Sequence, residues 1–273
     1  MRKEDCVRAF FIMFLCLFLY TGITVFAQGH QVATFVGGTG KESGFLLPTL
    51  TQGINGCFYV AGPTKSSDAP VPQTAFQSEN NGKTDILLVR VSADLSDLTA
   101  ATYLGGAEGD TLGRNSLIQC DSEGNVYIAI ETRSVDFPVT QDSYDVTHNG
   151  NADIAIIKLD PALENILAAT YLGGTDYEVA EDLRINSLGN IVLSGWTRSD
   201  DFPVTLNAFD KSYNGSGPYT WGGDFFVAVM NPDLDSLLSS TYVGGDSTDY
   251  GGAMVLDHED NICLTGGSSS LDY

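Results

Sequence analysis

An all-β chain of repeated four-stranded antiparallel units is the fold class this sequence predicts, and three observations carry it. A short motif returns along the chain, as TFVGG at 34–38, TYLGG at 102–106 and again at 170–174, and TYVGG at 241–245. Successive copies are about 68 residues apart, too long for a simple helical or fibrous period and long enough for one supersecondary unit that buries its faces against its neighbours. Between the copies the apolar runs are short and rich in β-branched and aromatic residues. They are bounded by Gly, Pro, Asn and Asp, and no amphipathic helical stretch of useful length interrupts them.

The first element is a leader. Arg2, Lys3 and Arg8 flank an apolar run from Ala9 to Tyr20, and Val25-Phe26-Ala27 places small residues before Gln28. This pattern predicts a secretory signal peptide over 1–27, cleaved after Ala27, with an uncleaved membrane anchor as the alternative. Leu15, directly before Cys16, is not the small residue a lipoprotein signal requires. Cleavage leaves Cys57, Cys120 and Cys263, an odd number at different places in the repeat, which makes no disulfide framework although one bridge remains open. The chain is strongly acidic, with a formal net charge of −22. Such a surface repels phosphate backbones and anionic lipid, so no nucleic acid and no stable membrane insertion after cleavage are expected.

Within one unit four strands, a to d, follow in order. The second repeat reads NSLIQC at 115–120 (a), VYIAI at 126–130 (b), DIAIIKLDP at 153–161 (c) and ILAATYLGG at 166–174 (d). The third reads LRI at 183–185, IVLSGW at 191–196, DFFVAVMNP at 224–232 and LLSSTYVGG at 237–245. Units therefore start near 38, 106, 174 and 245. A lone strand d, QVATFVGG at 31–38, precedes them, and the last unit breaks off at Leu271-Asp272-Tyr273, where the motif would next place a proline. About three and a half repeats are present, and the sequence reads as an N-terminal fragment of a longer protein.

Turn chemistry agrees with this order. DSEGN at 121–125 and NSLGN at 186–190 join a to b with a Gly-Asn pair suited to the positive φ of a tight hairpin, and DHEDN at 257–261 occupies the same place. Calcium is conceivable there because of the acids, but the segment lacks the length and ligand alternation of an EF-hand, so no cofactor and no metal site are expected. The paired glycines after strand d fit a sharp exit where a Cβ would clash or φ must be positive. In DFPVT at 136–140 and 201–205, Asp136 and Asp201 are expected to cap a turn made rigid by Pro138 and Pro203. Phe137 and Phe202 are expected to pack between units.

Antiparallel four-stranded units of this size point to a β-propeller more than to a solenoid. TYLGG, the D-S-x-G-N-V-Y pattern at 121–127, S-x-D-F-P at 134–138 and D-x-x-x-x-K-L-D-P at 153–161 resemble the SBBP repeat, named for a seven-bladed β-propeller. The resemblance covers nearly all of 31–273. It implies a secreted or surface-exposed bacterial protein, and it carries no catalytic residues to transfer. Repeat one departs from the pattern with APVP in place of DFPVT, and repeat three carries the insertion GSGPYTWGG at 215–223.

With strands alternating in direction, the d-to-a and b-to-c connections share one face. That face holds the long loops 133–152 and 198–223, and long loops on a rigid scaffold are the usual home of binding residues. The candidate ligand-binding residues are Glu108, Asp110, Asp176, Glu178, Asp246 and Asp249 in the d-to-a links, with Tyr219 and Trp221 in the insertion. The reading is a secreted binding module for an extracellular protein or glycan, not an enzyme. His30, His148 and His258 do not recur in register, no G-x-S-x-G elbow occurs, and the carboxylates show no pairing that picks out an acid and a base. The alternatives are an extracellular hydrolase or lyase on the same fold, and a spacer for a downstream domain.

Overall fold

The computed structural model describes residues 23–26, 33–42, 48–215 and 222–272. They form antiparallel β-sheets, and the helical content among them is a single 3-10 turn at Ile54–Gly56. The first full sheet holds β3 (Thr49–Gln52), β4 (Phe58–Thr64), β5 (Asp85–Val91) and β6 (Leu98–Leu104) in sequence order. The second holds β9 (Val126–Thr132), β10 (Asp153–Leu159) and β11 (Ile166–Leu172), with its first strand split into β7 (Asp110–Thr111) and β8 (Ile118–Cys120), both paired to β9. The third is β12 (Glu178–Ile185), β13 (Ile191–Thr197), β14 (Asp224–Met230) and β15 (Leu237–Val243), and β16 (Asp249–Leu256) pairs β17 (Ile262–Ser268) in the fourth. None of the sheets closes on itself.

Strands b and c of the second and third sheets are buried on both faces. In β10, Ile154, Ala155, Ile156 and Ile157 are all fully buried, so its sequence is a continuous apolar run rather than an alternating one. First strands of successive sheets adjoin: Leu117 N donates to Thr49 Oγ1 (3.2 Å), Leu183 N to Ser116 O (2.8 Å) and Met254 N to Asp182 Oδ2 (2.8 Å). The first strand is irregular in three of the four sheets. It breaks between β7 and β8, slips register at Ala180/Asp182 and slips again at Gly251/Met254, which bends it where the neighbouring sheet crosses.

Sheets are also joined through the c-to-d turns. Tyr59 OH donates to Pro161 O (3.1 Å) and Tyr127 OH to Pro232 O (3.0 Å), each reaching the turn of the next unit. Arg90 and Lys158 donate to the same two carbonyls. In these turns Leu95, Leu163 and Leu234 hold positive φ values of 59°, 59° and 55° with their side chains buried. A left-handed leucine is unfavourable locally, and burial of its side chain against the core offsets that cost.

The a-to-b hairpins match the sequence expectation. Gly124 and Gly189 have φ of 89° and 83°, and Asp260 takes the left-handed role at 64° in the fourth unit. Their acids serve the turn itself: Asp121 Oδ1 accepts from Glu123 N and Asn125 N, and Asp257 Oδ1 from Glu259 N and Asn261 N. Phe137 packs edge-on to Tyr171, and Phe202 lies against Phe226 and Tyr242. All three aromatic pairings are within a unit, where the sequence suggested contact between units.

The lone strand expected at 31–38 is β2 (Ala33–Val36), and it pairs with β1 (Ile23–Phe26), the tail of the proposed leader. The rest of the leader lies outside the described residues. Cys57, Cys120 and Cys263 are free thiols.

Candidate functional site

Every d-to-a link is built on the same plan. Four residues after the second glycine stands an acid, and its carboxylate accepts from that glycine's N–H: Glu42 from Gly38 (2.9 Å), Asp110 from Gly106 (3.0 Å), Glu178 from Gly174 (3.0 Å) and Asp249 from Gly245 (2.8 Å). A serine from the following b-to-c loop joins each acid: Ser66, Ser134, Ser199 and Ser270. Two residues further on, Asp68, Asp136, Asp201 and Asp272 accept from the backbone N–H after the glycine pair. The aspartates of the S-x-D motif therefore cap a link more than twenty residues away, not the turn they stand in. Tyr171 OH and Tyr242 OH tie the same loops down by donating to Ser134 O and Ser199 O, both at 2.8 Å.

The glycine pair follows from this plan. None of these glycines has positive φ; space decides instead. A Cβ on Gly105 would stand 2.6 Å from Asp110 Oδ2 and from Asp85 Oδ1, and one on Gly173 would stand 2.7 Å from both Asp153 Oδ1 and Glu178 Oε2. The first residue of each strand c thus faces the capping acid of the next unit across the first glycine. Asp85, Asp110, Asp153, Glu178, Asp224 and Asp249 are all at most 1% exposed. Burial pushes Asp110 and Glu178 up to about 7 and Asp224 up to about 6, and it raises Asp85 and Asp153 as well.

The sequence-derived binding residues divide accordingly. Asp110, Glu178 and Asp249 point inward and hold the links together. Glu108 is exposed and paired with Lys83, and Asp176 accepts from Asn151 Nδ2 at 2.9 Å. Asp246 lies at the surface beside Leu271. Tyr219 and Trp221 lie outside the described residues. The described six do not converge on one point, and no group of three or more His, Cys, Asp or Glu side chains among the described residues is arranged to hold a metal.

A different cluster stands on the loop face. Tyr177, in the link before strand β12, stacks on Trp196 near the end of β13 with ring centroids 5.9 Å apart and planes 11° from parallel. The Arg133 guanidinium carbon is 5.5 Å from the Tyr177 centroid, and that of Arg198 is 5.7 Å from the Trp196 centroid. Arg133 Nη2 donates to Tyr177 OH (2.8 Å), which in turn donates to the buried Glu131 carboxylate. The Arg133 side chain remains 56% exposed, so its remaining donors face solvent. A register signal pointed here: Lys65, Arg133 and Arg198 occupy one position, directly after strand b, in three successive units. Tyr177 and Trp196 lack aromatic counterparts at the equivalent Gly109 and Glu131, which sets this junction apart. Comparison with protein-family models and with curated proteins gives no match for this chain.

Proposed function

We propose that the chain is part of a secreted β-propeller resembling the SBBP-repeat kind, and that it works as a binding module for an extracellular glycan through its loop face. The observation that carries this reading is the Arg133–Tyr177–Trp196–Arg198 cluster on an otherwise acidic chain. Four links repeat the same carboxylate cap, and one junction between them adds stacked aromatics and two guanidinium groups. Aromatic faces and the fixed donor fork of arginine suit sugar rings with their hydroxyl and carboxylate substituents. The scaffold beneath is rigid, with the links pinned by hydrogen bonds from two directions, which favours a pre-organised surface.

An array of extracellular polysaccharides probed with the secreted chain tests this. Saturable binding is expected, weakened at least tenfold by Arg133→Ala together with Arg198→Ala while the melting temperature stays unchanged. Release of new reducing ends or unsaturated sugars from a bound polysaccharide would replace the binding module with the hydrolase or lyase reading. A blank array would remove the glycan as ligand.

A further inference from the structure

A surface depression of about 430 Å³ lies at the junction of the first two units, lined by Phe76, Gln77, Asn81, Asp136 and Pro138 together with the Gly105–Gly106 pair. Its size suits a small polar ligand, since such sites run from about 300 to 1,000 Å³. The five side chains come from the b-to-c loops of the two units. Two of them have polar atoms to spare. Asp136 is exposed, and its Oδ1 accepts from Ala107 N (2.9 Å), which leaves Oδ2 without a donor among the described residues. Asn81 is exposed as well, and only its main-chain N–H is engaged, on Asp85 Oδ2 (2.9 Å). Phe76 and Pro138 are half-buried and supply apolar wall.

The next junction shows what is particular here. Asn149, the counterpart of Asn81, has its carboxamide tied to Asp145 Oδ2 (2.9 Å), and Asp201, the counterpart of Asp136, accepts from Thr175 Oγ1 (3.1 Å) besides the Thr175 amide. In the first unit Gln77 stands where Asp145 does. It is buried and turned inward, donating to Asp85 Oδ2 (2.8 Å) and the Glu79 carbonyl (3.0 Å), and so leaves the Asn81 carboxamide untied.

We propose that this depression is a second sugar subsite, taking an uncharged sugar residue of the same glycan that the Arg133 cluster holds by a carboxylate-bearing residue. The proposal rests on the glycan reading above and narrows it to a polymer that joins acidic to neutral sugars. Loop 133–138 connects the two places: Arg133 goes to the cluster, and Asp136 and Pro138 go to the depression. A carboxylate and a carboxamide together accept from and donate to neighbouring hydroxyl groups, and an aromatic edge with a proline suits the C–H face of a sugar ring. No basic side chain lines the depression, so Asp136 repels a uronate there while the guanidinium groups beside Tyr177 attract one.

Calorimetric titration with hyaluronan oligosaccharides, which alternate glucuronate with N-acetylglucosamine, tests this beside two uniform polymers, polygalacturonate and dextran. The alternating polymer should bind most tightly, and its affinity should rise about tenfold or more from disaccharide to hexasaccharide as both places fill. Asn81→Ala should weaken the hexasaccharide about fivefold with the melting temperature unchanged. Wild-type affinity in Asn81→Ala, with binding still lost in Arg133→Ala together with Arg198→Ala, overturns the subsite and leaves the glycan reading standing. Tighter binding of either uniform polymer overturns the pairing of acidic with neutral sugars. Binding of none of the three, on a glycan array that is also blank, overturns the reading and the subsite together.

Discussion

Replacing Glu178 by glutamine removes one buried ionisation while leaving a side chain of the same shape against Thr197, Ser199 and the Gly174 amide. Desolvation lifts the Glu178 carboxyl from its ordinary 4.5 to about 7, and the neighbouring Asp153 adds to the rise. A folded-state value above the unfolded one means that folding favours the protonated acid. Its contribution is fully present below about 4.5 and is lost as pH rises through about 7. The rise from 4.5 to about 7 corresponds to about 3 kcal/mol over the whole titration, most of it between pH 5 and pH 8. Asp110 and Asp224 slope the same way, so wild-type stability should fall across this range, contrary to the usual loss at acid pH.

Urea melts at pH 5, 6, 7 and 8 in chelator isolate the Glu178 share. Glu178→Gln should lose about 2–3 kcal/mol less than wild type between pH 5 and pH 8, with the curves converging at the acid end. Parallel stability curves for the two proteins across the range would refute the reasoning, because they would show that the acid titrates alike in folded and unfolded chains.

The remaining expectations address the scaffold. Gly173→Ala should destabilise the fold by about 1–3 kcal/mol in thermal melts, because its Cβ meets two carboxylates; Gly109→Ala, which meets nothing within 4 Å, should be near neutral. Leu163→Ala should cost about 2–5 kcal/mol through lost burial. Leu163→Gly should cost no more than Leu163→Ala despite the smaller residue, since glycine relieves the positive φ. Tyr127→Phe should lose about 1 kcal/mol in urea melts, reflecting the missing bond to Pro232. Amide exchange should be faster in β16 and β17, where Val255 is 57% exposed and Ile262 37%, than in the buried strands β9 and β10.

Strand existence and order were legible because each strand is short, apolar and bracketed by turn residues: ILAATYL became β11 and IVLSGWT became β13. Strand a was less so. NSLIQC became only Ile118–Cys120 plus the distant pair Asp110–Thr111, since Gly113 presses so closely on Ala180 of the adjoining strand that a Cβ would strike its carbonyl. That contact belongs to the next unit, and no periodicity within one unit encodes it.

The capping acids show how the same letters support two opposite placements. Asp110, Glu178 and Asp249 are polar and sit in connections, which argues for solvent; yet an acid four residues after the glycine pair recurs in every copy. Strict recurrence in a repeat marks what each copy needs to fold, because every unit must close the same link, whereas a binding surface is assembled once at a particular junction. The partner of each acid is an adjacent amide together with a serine 21 to 24 residues further along, beyond the reach of local propensity. Recurrence thus separates scaffold from surface better than polarity does. By the same criterion the loop-face cluster has both signs: a basic residue repeated after strand b, and an aromatic pair found at one junction alone among the described links. The cation after strand b is repeated in the first three units, and only where Tyr177 and Trp196 stack beneath it does the chain build something a neighbouring unit lacks.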